Sequence, residues 1–359
     1  MPPSLRILIV AEVQEGWSFG ACREALAAMG HRVEIYNLGE VTFPMARSLL
    51  WRAVNKLSTA AMVRRINRGL RRFLDRSGFR PDLILFCKGE RILPETLKLL
   101  KRQSGALLFN WQTDDYFSPT LSSPHAIRSI PLYDCIFAHT PANVPELLKR
   151  GARRAEYLPH GADSSLYHPI DQEPPEPFET DVLFIGNWRR ERQRFLEELA
   201  AAELPFRFAV RGGQWERLPA RSPLRRHVRF GQVPWKEYGR SFRRAKISLV
   251  FLVHFDTGRV IVPLRLFEIA AAGGFMLVEK DRGQAEEFFK DKEEMALFTD
   301  VQDLKSKIAY YLSRDEERRG IARAAQQRMV KSGHFYTNRM ERVLQTYEAL
   351  RVSLKGLSG

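Results

Sequence analysis

Cysteine is scarce in this chain: Cys22, Cys87 and Cys135 are the only three among 359 residues. They have no paired spacing, and three cannot all be bridged within one chain, which suits a reducing cytosol and excludes a cysteine metal site. The eight histidines are scattered, with no His-x-x-x-His or His-Glu-x-x-His pairing, so no protein-bound catalytic metal is expected. Long apolar runs are missing as well. The longest nearly unbroken one, Ile269–Val278, contains Gly273-Gly274 and is too short to span a bilayer. Leu5–Ala11 is too short for a signal-peptide core and lacks a following cleavage pattern, so it reads as a first strand. A cytoplasmic protein is the expectation. Acid is the last deficit: 42 Asp and Glu against 57 Lys and Arg leave a net charge of +15.

That charge admits nucleic acid, an anionic membrane surface or phosphorylated small molecules as partners. Much of it falls in one segment, where Arg47, Arg52, Lys56, Arg64, Arg65, Arg68, Arg71, Arg72, Arg76 and Arg80 face only Asp75. Met62, Val63, Ile66, Leu70, Phe73 and Leu74 recur there at helical spacing. Such a helix either lies on anionic headgroups or packs its apolar stripe on a sheet with an arginine-rich solvated face. Peripheral contact at the inner face of the membrane therefore stays open. No reader helix, zinc finger or aromatic platform is present, so nucleic acid is not expected.

Hydrophobic residues make up 44% of the chain, enough for packed cores. Strand-like and helix-like stretches alternate along it, which predicts an α/β protein with parallel sheets. Strands are read at Leu5–Ala11, Arg32–Tyr36, Asp82–Cys87, Ala106–Trp111, Asp134–Ala138 and Ala155–Leu158, with helices between several of them. Asp171-Gln172-Glu173-Pro174-Pro175-Glu176-Pro177-Phe178-Glu179 resists both helix and strand and reads as a linker. A second set follows at Val182–Gly186, Phe206–Val210, His227–Phe230, Ile247–Leu252, Phe275–Glu279 and Leu297–Phe298. Two Rossmann-like domains are thus expected, residues 1–173 and 178–336.

The most informative stretch is Val262–Val278. Pro263 suits the start of a helix, Gly273-Gly274 its end, and Phe275–Val278 a covered parallel strand. Arg265 and Glu268 interrupt this apolar unit as neighbours on one helical face. A helix start is an anion site, arginine adds a fork that matches phosphate, and a carboxylate one turn on accepts from ribose hydroxyls. The plainer reading is an ion pair on a helix flank.

Leu264-Arg265-Leu266-Phe267-Glu268-Ile269-Ala270-Ala271-Ala272-Gly273-Gly274 resembles the signature of CgeB-like glycosyltransferases, bacterial relatives of the large group-1 sugar transferases with the GT-B fold. Asp181–Trp188 with Glu191-Arg192, and Phe230-Gly231-Gln232-Val233-Pro234 leading to Tyr238, match in order. So do Lys88-Gly89-Glu90, Trp111–Asp115 and Leu158–Asp163 in the first half. The resemblance implies two domains facing a central cleft, an acceptor-side first domain, a donor-binding second domain, and a last helix, 337–359, returning to the first. It implies a metal-independent, hexosyltransferase-like enzyme with a nucleotide sugar, such as a UDP- or GDP-sugar, as co-substrate and no further cofactor. The acceptor, whether glycan, lipid or protein, is not identified. In many retaining group-1 members a second glutamate stands eight positions before the one matched by Glu268; here that position is Val260. Asp256 or His254 is a candidate to replace its contact with the sugar.

Further candidates come from strand ends. Gly186-Asn187-Trp188-Arg189-Arg190 follows a strand, with a small residue for backbone approach and arginines for a diphosphate. Arg211-Gly212-Gly213 is a similar turn. Paired acids Asp114 and Asp115 end a strand and suit a base, sugar grips or a helix cap. His160 ends the first domain's last strand as either a structural or a catalytic histidine. Gly16-Trp17-Ser18-Phe19-Gly20 lacks a G-x-G-x-x-G and does not suggest NAD. The reading is a glycosyltransferase; a nucleotide-sugar epimerase and a catalytically inactive basic adaptor are the alternatives.

Overall fold

The computed structural model describes residues 4–13, 18–42, 59–167, 178–201 and 204–356. Its contacts form two compact units: Met1–His160 with Phe255–Arg259 and Tyr336–Gly359, and Gly161–His254 with Val260–Phe335.

In the first unit six strands, β1 (Arg6–Ala11), β2 (Arg32–Asn37), β3 (Leu83–Cys87), β4 (Leu107–Gln112), β5 (Cys135–Ala138) and β6 (Ala155–Tyr157), form a sheet in the order β2-β1-β3-β4-β5-β6. Every pairing in it is parallel, for example Ile7↔Leu83 and Phe109↔Cys135. Strands covered on both faces are predominantly apolar, and β3 and β4 are buried throughout, with Asn110 and Gln112 the polar positions of β4. Alternate residues go to opposite faces: Leu8, Val10, Ile84 and Phe86 join one core. The helices are α1 (Ser18–Ala28), α2 (Ala60–Ser77), α3 (Pro94–Ser104), α4 (Pro124–Ser129) and α5 (Asn143–Lys149). Helix α4, not expected from periodicity, starts where Ser123 accepts from Ala126 N at 3.1 Å and Pro124 fills the first turn.

The second unit repeats the plan. Its strands are β7 (Thr180–Ile185), β8 (Phe208–Arg211), β9 (Val228–Arg229), β10 (Ala245–Val250), β11 (Val253–His254), β12 (Val260–Ile261), β13 (Met276–Glu279) and β14 (Ala296–Phe298). Six of them form a parallel sheet in the order β14-β13-β10-β7-β8-β9, while β11 and β12 pair antiparallel. Two-residue strands carry no periodicity, so this hairpin is invisible in the sequence. Val182 and Phe184 face one core and Leu183 and Ile185 the other. The helices are α6 (Arg190–Ala200), α7 (Tyr238–Arg243), α8 (Leu264–Ala271), α9 (Val301–Leu312) and α10 (Asp315–Lys331). Pro263 takes the cap position of α8 rather than its first helical residue, and Gly273 leaves the helix at φ +73°.

The last helix, α11 (Tyr336–Gly356), groups with the first unit and packs against α1, as expected. Arg339, buried, donates to the carbonyls of Pro159 at 3.0 Å and His160 at 2.9 Å, and Arg342 reaches Glu156 at 2.7 Å. The division between units falls at His160, ahead of the acidic proline stretch expected to mark it. The reason is local: Ala162 N donates to His334 O at 2.9 Å and Leu166 is buried in the second core. Residues 168–177, which hold most of that stretch, lie outside the described residues, as do Arg47, Arg52, Lys56, Gly16 and Trp17.

Candidate active site

After β7 the second unit's chain runs outward through β8 and β9, then returns to lay β10, β13 and β14 on the other side. The carboxyl ends of β7 and β10 are therefore the point of reversal, where open α/β sheets hold ligands. Two glycines shape it. A Cβ on Gly212 (φ +124°) would lie 2.3 Å from the Gly186 carbonyl oxygen, and one on Gly186 2.6 Å from the Phe184 ring. The two loops therefore cross backbone to backbone. Trp215 Nε1 donates to Gly186 O at 2.8 Å, and Asn187 Oδ1 accepts from Gly213 N at 3.2 Å, so this side chain holds the loop.

Arg265, on the first turn of α8, donates through Nε to Ile185 O at 3.3 Å. Its guanidinium pairs with Glu268 and stacks over the Tyr238 ring, 4.2 Å from the centroid. Glu268 is 8% exposed, so the ion pair expected on this helix is a largely buried one. Arg192 completes the group. Burial, with Arg189 and Arg265 as like charges, pulls its pKa down to about 10, against Glu279 and Glu191. Arg192 donates to Asn187 O at 3.1 Å and Arg265 to Ile185 O at 3.3 Å, so two guanidinium groups stand at the end of one strand, an arrangement that favours an anion. The sequence includes Arg192 and Tyr238 in its matched segments without a role, and it does not single out Glu279. Only the fold brings Glu279, which accepts from Leu252 N at 2.9 Å, to this place.

The Arg211 fork donates to Ser241 Oγ and Glu237 Oε2, both at 2.9 Å, which secures α7 and the turn before it and so helps to position Tyr238.

In the first unit the paired acids separate in role. Asp114 lies 2.6 Å from Lys88 Nζ and keeps part of its surface. Lys88 has a left-handed backbone, φ +73°, unusual for a residue with a side chain. Burial works to lower its pKa, but Asp114, with Glu90 and Glu12, outweighs this and holds it above the ordinary value. Asp115 is fully buried and accepts from Arg259 at 3.1 Å, from Thr257, and from Phe117 N at 3.1 Å. A carboxylate so saturated anchors the 255–259 segment. Asp256, exposed, accepts from Ser118 at 2.8 Å and Thr120 at 3.0 Å, hydrogen bonds that keep its pKa below the ordinary value. It groups with the first unit, whereas Arg265 and Glu268 belong to the second.

His160 rests its ring against His139, 4.3 Å between centroids, and its backbone N–H donates to His139 Nδ1 at 3.1 Å. Burial above all, then His139, Lys88 and Arg339, drives its pKa well below the usual value, so it is a neutral imidazole. Its Nδ1 is buried with no hydrogen-bond partner among the described residues. Glu12 pairs with Arg91 at 2.7 Å, and both line a cavity of about 40 Å³ with Lys88 and Glu90. Among the described residues no three His, Cys, Asp or Glu side chains are grouped to hold a metal, and no helix is long and apolar enough to cross a membrane.

Residues 189–345 match the model of a family described as glycosyl transferase-like, a span that contains Arg189, Arg192, Tyr238, Arg265 and Glu268. Over 258 residues the chain is 25% identical to spore protein CgeB of Bacillus subtilis (strain 168), covering 68% of this chain and 77% of that one. In structure it is similar to sucrose-phosphate synthase from Thermosynechococcus elongatus, with a TM-score of 0.68 at 13% identity over 97% of this chain and 100% of that one. It is also similar to Anabaena Alr3699/HepE in complex with UDP and glucose, TM-score 0.60 at 15% identity, covering 96% of this chain and 100% of that one. With an ordered set of signature segments, two six-stranded parallel sheets and these likenesses, the chain is built on the GT-B fold, carries a glycosyl transferase-like segment and is similar to spore protein CgeB.

Proposed function

We propose that the protein transfers a sugar, as a hexosyltransferase, from a nucleotide-sugar donor to an acceptor, without a metal. The observation that carries this is that Arg265, paired with buried Glu268, and Arg192 both donate to backbone carbonyls at the sheet reversal of the second unit, next to Arg189 in the same loop. Glu268 accepts from the ribose hydroxyls, and the arginines take the diphosphate. As the bond from the sugar C1 to the phosphate oxygen breaks, the arginines and the start of α8 stabilise the charge that develops there. Their positive charge does what a cation would otherwise supply, which supports metal independence. The complexes of HepE with UDP and with UDP-glucose support a uridine diphosphate sugar as the first donor to try.

An acceptor oxygen bonds to C1 and its proton passes to a base. In the first unit Asp114 and neutral His160 are the groups that suit this step. Asp256 is directed to holding its own loop through Ser118 and Thr120.

A thermal-shift screen of nucleoside diphosphates and nucleotide sugars tests the reading, because a ligand that binds only the folded state raises its apparent stability. At least one diphosphate should raise the melting temperature, and the matching sugar should be hydrolysed slowly without acceptor. No shift with any member, from a folded sample, would refute the donor site.

A further inference from the structure

Helix α2 turns Met62, Val63, Ile66, Leu70 and Leu74 into the first unit's core. Its other face carries Arg64, Arg65, Arg68 and Arg72, all exposed, and packing does not account for them. With Val41 and Gly69 these four line a depression of about 470 Å³. Residues 64, 68 and 72 recur every fourth position, so they stand in one row, roughly 6 Å apart along the axis. None of the four has an ion-pair partner among the described residues. Like charges at this spacing weaken a helix. An anion that bridges them would relieve that repulsion.

The floor of the depression depends on a missing side chain. A Cβ on Gly69 would come 2.2 Å from Tyr36 Oη, which donates to Ile66 O at 3.3 Å. Glycine lets α2 press onto Tyr36, whose hydroxyl occupies the place of the missing side chain. The volume lies within the range of small-ligand sites. Its concave shape favours a compact anion over a flat surface. Since the apolar stripe of α2 is buried, the helix has no face to insert into acyl chains as an interfacial helix does. Guanidinium forks match phosphate oxygens in pairs.

We infer that this depression on α2 is a binding site for a compact phosphate-bearing group, a polyphosphate or a phosphodiester headgroup, carried by the first unit. It is independent of the donor reading, and the two are separable by experiment. The probe is inorganic tripolyphosphate, titrated calorimetrically at low salt into the full chain. Wild type should show two sites. R64Q/R65Q/R68Q/R72Q should lose one, with at least a thirtyfold fall in its affinity, and R189Q/R265Q should lose the other. Wild-type binding should also fall steeply between 50 and 200 mM salt. If the fourfold variant does not fold, R68Q/R72Q is read the same way. Two sites retained in the α2 variant, or a single wild-type site that only R189Q/R265Q removes, overturns the inference. Two sites retained in R189Q/R265Q counts against the donor reading alone. Vesicles of phosphatidylglycerol and of phosphatidylcholine then separate the sources. Binding to the former alone, lost in the α2 variant, assigns a lipid headgroup; tripolyphosphate binding without vesicle binding assigns a free phosphate compound.

Discussion

The Nε of Arg265 donates to the carbonyl oxygen of Ile185, 3.3 Å away and 80 positions earlier in the chain. One hydrogen bond thus ties the start of α8 to the end of β7. It aims the rest of the guanidinium at the place where the sheet reverses, with Glu268 on one edge and Tyr238 beneath. Arg265 is therefore oriented before any ligand arrives, which lowers the ordering cost of binding.

Arg265→Ala should weaken nucleoside diphosphate more than bare nucleoside, by roughly ten- to a hundredfold, since a hydrogen bond to a charged group contributes about 1.5–3 kcal/mol. Arg265→Lys should recover only part of this, because an ammonium keeps the charge but not the fork. Titration calorimetry with the best ligand of the screen measures both; equal affinities for the diphosphate across wild type, Ala and Lys would move the donor elsewhere. Glu268→Gln should weaken diphosphate and nucleoside alike, since ribose is common to them.

Tyr238→Leu removes the ring under Arg265 and should cost up to about 1 kcal/mol of diphosphate binding, within the range of a partly desolvated cation–π contact. Tyr238→Phe should be close to wild type. If Phe loses as much as Leu, the hydroxyl rather than the ring face is what matters.

The neighbouring acids should part company under the same substitution. Asp115→Asn leaves Arg259 with Glu146 as its remaining carboxylate and weakens three hydrogen bonds to a buried charge, so it should cost about 2 kcal/mol of stability, visible as a lowered melting temperature. Asp114→Asn removes a partly exposed pair and should cost about 1 kcal/mol or less. Its effect should appear instead in kcat for transfer. The reverse pattern, a stable Asp115→Asn with no turnover, would return Asp115 to the chemistry.

Acid should loosen the first unit through His160. Unfolded, the imidazole takes up a proton near pH 6.5; folded, burial withholds that proton until a much lower pH. In that interval the unfolded chain binds more protons, so stability falls as pH drops below about 6.5. His31, also in the first unit, and His227, in the second, have pKa values that burial lowers and act in the same direction on the unit that holds each. Melting curves from pH 7.5 to 5 should show the decline, and His160→Gln should flatten it.

Gly212→Ala should be severe. Both the positive φ and the 2.3 Å approach to Gly186 O resist a side chain, so a loss of about 2 kcal/mol or more is expected in unfolding by denaturant. Gly213, whose nearest neighbour is the movable Gln232 side chain, should tolerate alanine better.

Local order decided much of this molecule. Largely apolar buried runs at β3, β4, β7, β10 and β13, set between helix-sized stretches, determine two parallel α/β sheets, because a strand covered on both faces is predominantly apolar. The three-residue spacing of Arg265 and Glu268 puts them side by side on any helix, and the glycine pair ends that helix on chain geometry alone. Side chains whose partners lie far along the chain were beyond such reading. Asp115 and Arg259 are 144 positions apart, and Arg211 meets Ser241 across 30. Sequence spacing says nothing of either pairing, so a structural carboxylate and a positioning arginine look the same as reactive ones. Only tertiary structure distinguishes them, because burial and partner, not residue type, decide whether a charge is occupied within the fold or left to meet a ligand.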